Sequence, residues 1–150
     1  MAIAYYHASK YGNGVKVAEE FKRLMEVQGA GVVVQSMRQA KPRDMPTADL
    51  YVFSSPGRMG RPRWGVGRFL KKAALPAGAK YAIMTTEMPT PPERTEYRRI
   101  IPTMDAVLQA RGLVKVAEAT VLVTGLKGPL EDGWEKKVEA FAQQCSQVSR

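Results

Sequence analysis

Short unbroken apolar runs alternate along this chain with stretches whose apolar residues return every three or four positions. The runs at 2–6, 32–34, 50–53 and 81–84 predict buried strands, and 114–116 with 120–123 predict a fifth strand split in two. Val15, Ala18, Phe21 and Met25 form a helical stripe that Gly29 stops. Val66, Phe69, Leu70 and Ala73 form a second stripe, and Ile100, Ile101, Met104, Val107 and Leu108 a third that ends at Gly112. Trp134, Val138, Phe141 and Cys145 mark a final helix. Residues 37–48 are polar and carry Pro42 and Pro46, so they read as a short crossover with room for one helical turn. Segments 54–65 and 85–96 read as loops, the first with Gly or Pro at five of its twelve positions.

Strands that run apolar without alternation suit a parallel sheet covered by helices on both faces. The order β-α-β-β-α-β-α-β-α, with one reduced crossover, predicts one α/β domain over residues 1–150, with right-handed connections. Ligands of such sheets bind beyond the carboxyl ends of the strands, near a switch in strand order. The loops to inspect are therefore 7–14, 54–64 and 85–96, after strands one, three and four.

Composition changes this picture little. A chain of 150 residues suits one core, and 45% hydrophobic with 25% charged residues is ordinary for a globular protein. No apolar run has the length of a membrane span, and the N-terminus lacks the pattern of a signal peptide, so the expected setting is the cytoplasm. Cys145 is alone and lies on an apolar helix face, which makes it a packing residue. The one histidine, His7, ends strand one, where it reads as a proton donor or simply as a hydrogen-bonded neighbour. With no second histidine and no carboxylate cluster, a metal site is not expected. No nucleophile elbow or Cys/His pair is present to support hydrolysis.

Charge changes more. The formal net charge is +9, and residues 1–75 hold 13 Lys/Arg against 5 Asp/Glu. No acid occurs between Asp49 and Glu87, a gap that holds Arg58, Arg61, Arg63, Arg68, Lys71, Lys72 and Lys80. A one-sided positive field attracts a phosphorylated cofactor, an acidic protein or nucleic acid.

Loop 7–14 has the parts of a phosphate site. It leads into a helix N-terminus, where unpaired N–H groups favour an anion. Gly12 and Gly14 let the backbone curl, Ser9 and Asn13 add donors, and Lys10 adds charge. The dinucleotide pattern G-x-G-x-x-G fails at Val17, and no acid ends the second strand; Arg38 leaves NADP disfavoured but open. There is no G-x-x-x-x-G-K-[ST] motif of a nucleoside triphosphatase.

Three stretches carry a resemblance. "SKYGNGVKVAEEF" resembles the phosphate loop of flavodoxin-like proteins, which runs S-x-[TY]-G-[NS]-T before a helix. "ADLYVFSSPGRMGRPRWGVGRFLKKA" resembles their third strand and next loop, and is close to the S-P-T-R-x-G pattern of WrbA-type quinone reductases. "AKYAIMTTE" is similar to the fourth strand. The resemblance spans essentially the whole chain in order and spacing. It implies a flavodoxin-like three-layer sandwich, a five-stranded parallel sheet of order 2-1-3-4-5, and FMN at its carboxyl edge. Ser9, Lys10, Tyr11, Gly12, Asn13 and Gly14 would hold the phosphate. Pro56, Gly57, Arg58, Met59 and Gly60 would line the flavin, and Thr85, Thr86 and Glu87 would approach it from the other side. The sequence departs from the family at Gly14 and Gly57, each standing where a Thr is usual, and has no aromatic within 56–60. Trp64 would either stack on the flavin in place of that aromatic or pack at a helix start.

The function implied is FMN-dependent electron transfer with an acidic redox partner protein. Arg58, Arg61 and Arg63 would make such a flavin less strongly reducing by favouring its anionic reduced form. Two alternatives stand beside it: an FMN-dependent NAD(P)H or quinone reductase, and a flavin-free module that binds an acidic partner or nucleic acid. No RNA-type aromatic platform or DNA-reading helix supports nucleic acid. Oligomeric state is left open.

Overall fold

The computed structural model describes residues 1–58, 60–94, 99–125 and 127–149, with Arg58 and Ser149 described by their backbone alone. In chain order the elements are β1 (Ala2–His7), α1 (Asn13–Val27), β2 (Gly31–Ser36), a 3-10 turn (Pro42–Asp44), β3 (Leu50–Arg58), β4 (Arg61–Pro62), α2 (Val66–Lys72), β5 (Lys80–Glu87), α3 (Ile100–Ala110), β6 (Val114–Leu122) and α4 (Trp134–Ser146). The sheet runs β2-β1-β3-β5-β6, all parallel, with the two-residue β4 folded back antiparallel on the end of β3. Numbered without β4, the five parallel strands stand in the order 2-1-3-4-5, the flavodoxin-like arrangement. The reversal of order falls between β1 and β3.

Strand alternation sorts the core into two halves. Ile3, Tyr5, Leu50, Val52, Ala82 and Met84 face α1 and α4, where Phe21 stacks between Tyr5 and Phe141 at ring distances of 5.4 and 5.5 Å. Ala4, Tyr6, Tyr51, Phe53, Tyr81 and Ile83 face α2 and α3. There Tyr6 meets Phe53 at 6.1 Å and Phe69 at 5.6 Å. Cys145 is fully buried on the α4 side, and burial pushes its thiol up to about 12. It is a packing group, as its place in the stripe predicts.

β5 runs on through Thr85, Thr86 and Glu87, so the segment expected as loop over 85–96 opens as strand, and its residues 95 and 96 lie outside the described ones. The structure corrects three further expectations. First, segment 54–65 is not all loop. β3 continues through Ser54, Ser55 and Pro56, paired with Met84, Thr85 and Thr86 of β5, before the hairpin at β4. Small hydroxyl residues can lie inside a sheet when the hydroxyl bonds locally. The Ser55 hydroxyl donates to the Pro56 carbonyl at 2.8 Å and accepts the Arg63 N–H at 2.9 Å. Pro56 costs no ladder bond, because β1 pairing has ended at His7 with Ser54. Second, β6 is continuous. Tyr81 pairs Lys115 and Ala82 pairs Ala117, so Val116 is the extra residue of a bulge, which the sequence pattern shows as a break. Third, Trp64 is 95% exposed, so it does not pack at the start of α2.

Candidate functional site at the carboxyl edge

The sheet brings the loops after β1, β3 and β5 to one edge, as the strand order requires. Beyond β1, Gly12 adopts φ +92° and turns the chain into α1. The loop before it is held by its own side chains. His7 Nδ1 accepts the Ser9 N–H at 3.2 Å, and Ser9 Oγ accepts the Gly12 N–H at 3.1 Å. Burial lowers the His7 pKa, which fits an imidazole that accepts at Nδ1. The N–H groups of Lys10, Tyr11, Asn13, Gly14 and Val15 take no acceptor among the described residues. Five free backbone donors around the first turn of a 15-residue helix form a donor set suited to an oxyanion. The FMN phosphate expected from the resemblance therefore fits the backbone of this loop.

Both departures from the family pattern have a steric cause. A Cβ at Gly14 would stand 3.1 Å from Ser9 Cβ, closer than side chains normally approach. The loop closes on Ser9 where a threonine would need room. A Cβ at Gly57 would stand 1.9 Å from Ile100 Cδ1, because the buried Ile100 at the start of α3 fills that space. Ile100 takes the place that a side chain at 57 would occupy. Gly60 is buried in the tight turn of the β3–β4 hairpin, and Met59 lies outside the described residues.

Arg63 is the surprise of this hairpin. Its Nη1 donates to the carbonyls of Ala8 at 2.9 Å and Ser9 at 3.1 Å. Of the three arginines expected to bear on a flavin, this one is engaged with the neighbouring loop. On β5, Thr85 and Thr86 are buried, and the Thr85 and Thr120 hydroxyls bond at 2.8 Å between β5 and β6. Glu87 is the half-buried member of that trio, and burial raises its carboxyl pKa, opposed in part by Thr85.

Sequence reasoning passed over the loop after β6. Lys127 Nζ lies 5.8 Å from the Tyr11 ring centroid and Lys10 Nζ 5.3 Å from it, so two cations approach one ring. Asn13 Oδ1 lies 2.7 Å from where a Cβ of Gly128 would stand, which seats this loop against the start of α1. The signal was present: "TGLKGP" is a glycine-rich, basic turn after the last strand, and the edge rule applies to every strand. A second feature also went unread. A groove of about 540 Å³ lies between the crossover and α2, with Lys41, Arg43, Arg68 and Lys72 on its walls and Phe69 and Met37 in its floor. The side chains of those four cations have no ion pair among the described residues. Among the described residues no helix is long and apolar enough to cross a membrane.

No protein-family model matches the chain, and no curated protein matches it. Solved structures do. The oxidised flavodoxin 2 from Bacillus cereus superimposes with a TM-score of 0.80 at 18% identity, over 98% of this chain and 99% of that one. A short-chain flavodoxin associated with a non-canonical PDU bacterial microcompartment gives 0.77 at 18%, over 100% and 99%. A rubredoxin oxygen:oxidoreductase from Desulfovibrio gigas gives 0.75 at 11%, with this chain covering 36% of its length. The fold is thus a flavodoxin-like α/β sandwich.

Proposed function

We propose that this chain binds FMN at the carboxyl edge and serves as a cytoplasmic electron carrier. The observation that carries the reading is the set of five backbone N–H groups, before and in the first turn of α1, without acceptors among the described residues, on the loop whose sequence resembles a flavodoxin phosphate loop. Bound FMN would supply one- and two-electron chemistry. Ser9, Lys10, Tyr11, Gly12, Asn13 and Gly14 would bind its phosphate through backbone amides, the Ser9 and Asn13 side chains and the charge of Lys10. Pro56, Gly57, Arg58, Met59 and Gly60 would bound the flavin ring, with Glu87 on the other side. Thr85 and Thr86 would support this wall from within the sheet, since both are buried. The WrbA-like S-P-x-R-x-G stretch would serve here as a ring loop and Trp64 as an exposed apolar cover.

The redox partner would be acidic. The groove beside α2 supports this, because four cations without ion-pair partners among the described residues line it and one acid, Asp44, shares it. An association steered by these charges slows steeply as salt rises.

Titration of the protein with FMN tests the reading. Saturable quenching of flavin fluorescence at micromolar concentrations is the expected result. Absence of binding at millimolar FMN would overturn it and leave the basic groove as the leading site.

A further inference from the structure

We propose that Arg63 is a positioning residue that locks the ring loop to the phosphate loop and presets the backbone donors of the latter; this rests on the FMN reading above. Arg63 sits 54 and 55 positions from the backbone it bonds, and its Nη1 serves two successive carbonyls. A trans peptide carries its C=O and N–H on opposite sides. Turning the Ser9 carbonyl to Arg63 therefore turns the Lys10 N–H away from it. Turning the Ala8 carbonyl to Arg63 turns the Ser9 N–H to its acceptor, His7 Nδ1. One guanidinium nitrogen thus fixes two peptide planes of the loop.

Arg63 is itself anchored. Its N–H goes to Ser55 Oγ, whose hydroxyl goes on to the Pro56 carbonyl. A continuous chain of bonds runs from the start of the S-P-x-R-x-G stretch, through Arg63, to the carbonyls of Ala8 and Ser9. Ser9 Oγ then carries it to the Gly12 N–H. Bonds from a charged donor are the stronger class, and this one lies half-buried. The arrangement makes donor direction in the phosphate loop depend on a residue of the ring loop, so the two halves of the flavin site order as one unit. The ordering cost is met before the ligand arrives, which is how preorganisation raises affinity.

The test compares wild type, Arg63→Gln and Arg63→Lys in binding FMN and riboflavin, which lacks the phosphate. Arg63→Gln is expected to weaken FMN by about tenfold or more, the worth of a charge-assisted hydrogen bond. Riboflavin affinity should change by no more than about twofold, well under one such bond. Arg63→Lys, which keeps a cationic donor, should recover part of the FMN loss. An equal loss for both ligands would overturn the proposal, since general loosening of the site predicts that. Amide hydrogen exchange without ligand gives a readout independent of FMN. Exchange at Ser9 and Gly12 should speed up in Arg63→Gln while α4 is unchanged; no change there would overturn the proposal even if FMN binds. If wild type binds no FMN, the functional reading falls, and faster exchange at Ser9 and Gly12 would still establish the strut. If Arg63→Gln fails to fold, Arg63→Lys is read by the same two measurements, with a smaller change of the same sign expected.

Discussion

The two faces of the sheet are built by different means. On one face, α1 (15 residues) and α4 (13 residues) cover the strands with aromatic packing, and the hydroxyl of buried Tyr5 has no hydrogen-bond partner among the described residues. On the other, α2 has seven residues and the crossover contributes a single 3-10 turn, so less helix is available to cover the sheet. Polar ties make up the difference. Tyr51 donates to the Pro46 carbonyl at 2.6 Å and accepts the Ala48 N–H. Tyr81 donates to Asp105 at 2.7 Å, and Lys115 bonds the other oxygen of that carboxylate. Arg111 reaches from the end of α3 to the carbonyls of Leu70 and Ala73, closing the end of α2. Charge follows the same division. α1 carries three bases and three acids and α4 two of each, whereas α2 carries three bases and no acid. The lesson is that a face held by side-chain ties to the backbone needs fewer helical turns, and leaves its outer surface free to hold an unbalanced charge.

The largest effect should come from the packed face. Phe21→Ala removes the ring between Tyr5 and Phe141 and should cost about 3–5 kcal/mol, read from the urea midpoint. On the tied face, Arg111→Met should cost about 2 kcal/mol, because two partly buried carbonyls lose a charged donor. Hydrogen exchange should quicken in α2 and not in α1; a uniform change would break the contrast. Tyr81→Phe should cost about 1 kcal/mol, while Tyr5→Phe should be neutral or slightly stabilising, since it removes an unsatisfied hydroxyl. An equal loss at both tyrosines would remove the distinction between the faces.

The smallest effect concerns pH. Burial raises the Glu87 pKa, so the folded protein holds that proton more tightly than the unfolded chain. The stabilisation this brings is complete below the usual glutamate range and is lost as pH rises through the folded value. Glu87→Gln should therefore be more stable than wild type near pH 7 and no different near pH 4, in paired urea titrations.

Much of this was legible in the sequence, for physical reasons. The interior strands β1, β3 and β5 are covered on both faces and so read as plain apolar runs. The edge strands read less well. Val33 in β2 is 67% exposed, and β6 carries a bulge that breaks its period. The end of β3 was missed because Ser54, Ser55 and Pro56 are turn-formers by type, yet all three pair with β5, and the Ser55 hydroxyl bonds locally. The turn between β1 and α1 is local in sequence and could be read from its own residues. Arg63 could not, because its role depends on a carbonyl more than fifty residues away. Its sequence neighbourhood shows a basic stretch, and composition cannot separate a solvated cation from one turned inward.

Trp64 and Trp134 also give the molecule two indoles in different solvents. Trp64 stands almost wholly in water beside the β3–β4 hairpin, while Trp134 is half-buried against the α1–α4 core. The first should emit at the long wavelength of aqueous indole and be open to a dissolved quencher. The second should emit further to the blue and be shielded. Each half of the comparison thus carries its own optical reporter, and the unmodified protein can be followed at its loops and in its helical layer in one spectrum.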